Sequence, residues 1–169
     1  MRREQRRRCQ GIVRGLELPL EGLDIPRLTA HVERAQGTRI VLSPADTRHM
    51  ACGAAIGLET HTLIRYAEST SPMHQAHIVC HELGHLLLEH RGVVMSAAAR
   101  AALTPDLDPD VVARMLARED YTDEDEQAAE YLGRLLARRL HRVSALPRRD
   151  EVTAPPEVID LLRALGDVL

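Results

Sequence analysis

The chain has 169 residues, a formal net charge of -3 and 2% aromatic residues, three tyrosines with no Phe or Trp. That length supports one domain with a real core and leaves little room for two. The charge argues against general nucleic-acid binding by the whole chain, and the scarcity of rings argues against a stacking surface for single strands. Hydrophobic residues at 44% suit a soluble globular protein whose core is aliphatic. Cys9, Cys52 and Cys80 are widely spaced with no CxxC pair, so free thiols in a reducing cytoplasm are expected. The arginine-rich start has no apolar run behind it, unlike a secretory signal, and no apolar run approaches the ~18–20 residues of a membrane span. A cytoplasmic protein without membrane contact is the expectation.

Taken in order, residues 3–16 read as a basic helix with a thin apolar stripe of Cys9, Ile12, Val13 and Leu16. Its arginines are expected to form a solvated face. A connection containing Pro19 and Gly22 leads to Asp24, which can cap a helix carrying Pro26 in its first turn, with Gly37 as its stop. Thr38 to Leu42 reads as a short strand closed by Ser43-Pro44, and Asp46 to Gly53 as a loop. Ala54 to Leu58 and Thr62 to Ala67 resemble a hairpin or a pair of neighbouring strands. Ser71 and Pro72 open a helix over 72–90. An alanine-rich piece, Ser96 to Leu103, and residues 109–118 are expected to be helical. Thr122 opens a longer helix over 123–141, acidic at its start and basic at its end, as the helix dipole favours. Residues 143–156 hold three prolines and read as a linker before an amphipathic helix from Glu157 to Leu169. One domain is expected, with residues 1–23 as basic helix and connection, 24–142 as core, and 143–169 as linker and final helix.

The 72–90 helix contains His81-Glu82-Leu83-Gly84-His85. By composition an HExxH arises on the order of 0.04 times in such a chain, so its context must carry part of the weight. Histidines four apart on a helix share one face, about 5–6 Å between Cβ atoms, and can reach one metal ion. A glutamate after the first histidine stands beside the metal, where it can take a proton from water held there. Ile78, Val79, Leu83, Leu86 and Leu87 give the helix an apolar back, and Gly84 lets another element approach closely. A zinc site with a hydrolytic role is the expectation.

A catalytic zinc needs three protein ligands and one open position. A histidine six residues past the second would stand at Arg91, so that arrangement is absent. Cys80 faces another way, and Glu89 is expected to hang into solvent. The better candidate is Glu126, with Glu130 on the same helical face, placed to accept the second N–H of a liganding imidazole. Ala128 and Ala129 would let two helices pack closely. An acidic helix start exposed to water accounts for these residues equally well, and Glu124 and Asp125 are rival ligands.

The run TSPMHQAHIVCHELGHLLLEH, followed by EDEQAAEYLGRLL, resembles the ImmA/IrrE metallopeptidase family, closest to its short actinobacterial-type members. The resemblance covers roughly residues 24–140. It implies an α+β, mostly helical, compact zincin-like fold, with a small three-stranded sheet against the HExxH helix and a second, Glu-bearing helix. It implies one Zn2+ per chain held by His81, His85 and Glu126, with Glu82 as base. It also implies, as partner or substrate, a helix-turn-helix repressor encoded nearby, in stress or mobile-element regulation. The sequence departs from the family at Leu132-Gly133, where many relatives have Phe-Ala, and at Glu130, where many have Asn or Asp.

For the oxyanion of peptide hydrolysis, His77, His90, Tyr121 and Tyr131 are candidate donors. Cys52 is expected to be a free thiol and not an inhibitory ligand, and His31, His49, His61, His74 and His141 to be surface or structural residues. The alternative to a peptidase is a module that holds a repressor without cutting it, including a toxin–antitoxin-type component, with zinc only structural.

Overall fold

The computed structural model describes residues 1–46, 53–58, 60–90, 93–94, 121–143 and 145–165. The elements are helices α1 (Arg3–Gly15) and α2 (Ile25–Gln36), strands β1 (Arg39–Ala45), β2 (Gly53–Gly57) and β3 (His61–Ala67), helix α3 (Pro72–Leu87), strand β4 (Val93–Val94), and helices α4 (Asp123–Ala137) and α5 (Pro156–Ala164). The architecture is α+β. Among the described residues no helix is long and apolar enough to cross a membrane. The expected helices at 96–103 and 109–118, and Cys52, lie outside the described residues.

Local chemistry sets the helix starts as expected, whereas α3 and α4 end at Leu87 and Ala137, short of the expected 90 and 141. Asp24 accepts a hydrogen bond from the Arg27 amide, and Gly37 closes α2 in the left-handed conformation at φ 68°. Ser71 accepts from the His74 amide ahead of Pro72. At α4, Thr122 and Asp125 satisfy each other's amides reciprocally.

The sheet differs from expectation in two ways. It has four strands in the order β1-β3-β2-β4, the fourth being two residues long, in a stretch that carries no strand pattern of its own. Strands β2 and β3 form the expected antiparallel pair, whereas β1 runs parallel to β3 and β4 parallel to β2. Second, β1 continues through Ser43 and Pro44 to Ala45. Proline lacks the N–H for a second neighbour, and β1 is an edge strand that pairs on one side alone, so Pro44 is tolerated there.

Strand residues alternate between two apolar layers. Ile40, Ala55, Ile64 and Tyr66 join the main core with α1, α2, α3 and α4. Val41, Ile56 and Leu63 pack with Val158, Leu161, Leu162 and Leu165. The C-terminal helix therefore covers the second face of the sheet. Nine residues are too few for an isolated helix in water. Burying each of its leucines contributes about 1.5–3 kcal/mol, which holds α5 in place. The segment before it is tied down as well: the Tyr66 hydroxyl donates to the Pro147 carbonyl, and Arg149 pairs with Glu68 at 3.0 Å.

Candidate metal centre

Helices α3 and α4 carry the site, and their close approach is built on glycine. A Cβ at Gly84 would stand 2.7 Å from the Ala129 carbonyl oxygen, and one at Gly133 would stand 3.0 Å from His81 Cα. At position 133 the backbone of α3 stands where a side chain's first carbon would crowd it. Gly84→Val is expected to force the helices apart at a backbone atom that no rotamer change can relieve. Overpacking of this kind costs about 2–3 kcal/mol, or roughly 5–10 °C of melting temperature in a chain this size. Thermal unfolding followed by circular dichroism measures it, and an unchanged midpoint would show that the contact is not tight.

This packing brings three donors from two helices together. Nε2 of His81 and Nε2 of His85 are 3.0 Å apart. Glu126 Oε2 is 3.5 Å from His81 Nε2, and Glu126 Oε1 is 3.5 Å from His85 Nε2. Two ligands each about 2.0–2.1 Å from a tetrahedral ion stand about 3.3 Å apart, so this triangle has the right size for one cation. His81, His85 and Glu126 form a group that can hold a metal ion. Two imidazoles and a carboxylate are a donor set suited to zinc. His85 is 2% exposed and Glu126 48%, so the cluster is deep on the α3 side and open to solvent at the carboxylate.

Electrostatics favour a neutral His85. Burial, then the neighbouring His81 and His90, hold the His85 pKa down to about 3, so its ring is neutral near pH 7, the form that ligates. Burial also lowers the pKa of His90, against the opposing pull of Asp125. Hydrogen bonds from the Thr122 side chain and amide keep the Asp125 carboxyl below its ordinary value.

The surrounding residues divide into those facing the cluster and those facing away. Glu130 Oε2 lies 3.5 Å from His81 Nδ1, on the ring edge opposite the cluster, and 3.4 Å from His77 Nε2. Its other oxygen accepts from Arg134 at 2.7 Å. Glu82 is buried on α3, its carboxylate against the start of β2. A Cβ at Gly53 would stand 2.8 Å from Glu82 Oε1, so a glycine there leaves room for the acid. The Tyr121 ring stacks on His85 with centroids 4.0 Å apart.

Two expectations are corrected. Tyr131 faces α1, not the metal cluster: its hydroxyl accepts from Gln10 at 3.3 Å, and the Arg6 guanidinium lies 5.9 Å over its ring. The reason is its place on α4. Residue 131 follows Glu130 by about 100° around the helix, which turns it from α3 toward α1. Glu124 is no rival ligand, because its carboxylate meets Arg2 at 3.2 Å on the surface. Asp125, the other rival, faces His90, with Oδ1 3.4 Å from Nε2. Sequence reasoning missed this pairing, and it missed Gly53. His141, expected to be surface or structural, accepts from the Leu23 amide at 3.2 Å and pins the connection before α2. Comparison with family models, curated proteins and solved structures finds no match to this chain.

Proposed function

We propose that this chain is a zinc-dependent endopeptidase of the ImmA/IrrE type, with a zincin-like fold, working in the cytoplasm on a helix-turn-helix regulator or a similar partner protein. The observation that carries the reading is the convergence of His81, His85 and Glu126 from two helices, with a buried glutamate next in sequence to the first ligand. His81 and His85 present Nε2 atoms to one point, and Glu126 adds a negative oxygen from the solvent side. When bound, zinc supplies Lewis-acid activation of water and of a peptide carbonyl. Glu82 accepts the proton of the attacking water and returns it to the leaving amine. Burial beside Gly53 confines its carboxylate. Among the donors expected for the oxyanion, Tyr121 packs against a ligand ring, whereas His77 is engaged by Glu130 and Tyr131 faces α1.

The test is incubation of the zinc-reconstituted chain with the purified product of a neighbouring helix-turn-helix gene, with mass spectrometry of the fragments. Cleavage that stops on chelation and returns with zinc supports the peptidase. Stable association with an intact regulator in the presence of zinc would replace it with a holding module.

A further inference from the structure

The second nitrogen of His85 has a partner that the metal-binding motif does not contain. Nδ1 of His85 and Nδ1 of His90 are 3.1 Å apart. At that distance one imidazole nitrogen donates and the other accepts. His85 Nε2 points at His81 and Glu126, and it can offer a lone pair there only if the ring's proton sits on Nδ1. His85 Nδ1–H then donates to His90 Nδ1, and His90 must carry its own proton on Nε2. That atom faces Asp125 Oδ1 at 3.4 Å. Asp125 is itself anchored, since its Oδ2 accepts from the Thr122 amide at 3.1 Å and hydroxyl at 2.8 Å. With His85 Nε2 given to a metal, the proton positions along His85 and His90 follow from these contacts.

The backbone places His90 for this purpose. Helix α3 ends with the Glu89 amide donating to the Leu86 carbonyl and the His90 amide donating to the His85 carbonyl, both at 3.1 Å. Between them Glu89 takes the left-handed conformation, φ 58°. This closing turn folds the chain back, so His90 lies over the last turn of the helix instead of continuing past it. The Tyr121 ring covers the pair, 4.0 Å from His85 and 6.1 Å from His90 between centroids.

We propose that His90, backed by Asp125, is a positioning residue that fixes the His85 ring in the tautomer and orientation needed to present Nε2 to the metal. The inference rests on the zinc reading of the His81, His85 and Glu126 cluster. It gives that site an asymmetric support, a carboxylate directly behind His81 and a histidine–carboxylate pair behind His85.

Zinc affinity by competition with a chromophoric chelator tests it. His90→Phe keeps a ring and removes the acceptor, so zinc binding is expected to weaken about 10–100-fold, the usual effect of losing such a partner. His90→Asn restores an acceptor oxygen near the Nδ1 position and should bind within about threefold of the unaltered chain. Melting of the metal-free variants controls for folding. Nitrogen-15 NMR of the zinc-loaded, unaltered chain needs no variant and should find His90 neutral with its proton on Nε2. Equal zinc affinity for His90→Phe, an asparagine variant as weak as the phenylalanine one, or a His90 proton on Nδ1 would each overturn the positioning role. Failure of the unaltered chain to bind zinc would instead overturn the metal centre itself, and the positioning role with it.

Discussion

Glu82→Gln is expected to lower peptide-bond cleavage by about 10²–10⁴-fold, the range for loss of a positioned general base, while zinc affinity stays within about twofold. The amide matches the carboxylate in size, so the space that Gly53 leaves is filled as before. It cannot take a proton from water. Because Glu82 is not one of the three converging donors, its neutralisation leaves the metal triangle unchanged. Measuring kcat/KM alongside a zinc titration separates the two properties. Full activity in this variant would sink the assignment of Glu82 as base.

Glu126→Ala should weaken zinc binding on the order of 100-fold or more, since it removes a donor and not merely a support. Glu124→Ala is the matched control two residues earlier on the same helix. It loses only an exposed pairing with Arg2, and contacts of that kind are worth about 0–1 kcal/mol. Its zinc affinity should stay within about twofold of the unaltered chain. Should the Glu124 change loosen the metal more, the third ligand has been misassigned.

What the sequence made legible is what local chemistry decides. Ser71-Pro72, Asp24 with Gly37, and Thr122 with Asp125 are start and stop signals whose effects are confined to one turn, and each stands where its residues predict. The closeness of α3 and α4 agrees with Gly84 and Ala129, which lack the bulk to hold another helix away. The face shared by Glu126 and Glu130 follows from the helical repeat alone.

The missed features depend on tertiary context. Whether Pro44 ends a strand or sits within one depends on whether that strand has a neighbour on its N–H side, and the order β1-β3-β2-β4 is not written in β1. Tyr131 and Glu130 are adjacent in sequence and serve opposite faces of α4, so only the position of α1 decides which face each one meets. His90 stands five residues past His85, out of step with a continuing helix. A glutamate taking a positive φ brings it back, in a position where glycine is the ordinary signal. The final helix has an apolar stripe plain in the sequence, but nothing in that stripe says that it covers the back of the sheet.

The most direct test of the two-helix metal centre is a crystal structure of the zinc-loaded chain, with the ion located by its anomalous signal. The expected result is one zinc bound by His81 Nε2, His85 Nε2 and a Glu126 oxygen, with the carboxylate at about 2.0–2.2 Å and one position open toward solvent. A zinc ion held by Asp125, Glu124 or a cysteine in place of Glu126, or no zinc between α3 and α4, would contradict it.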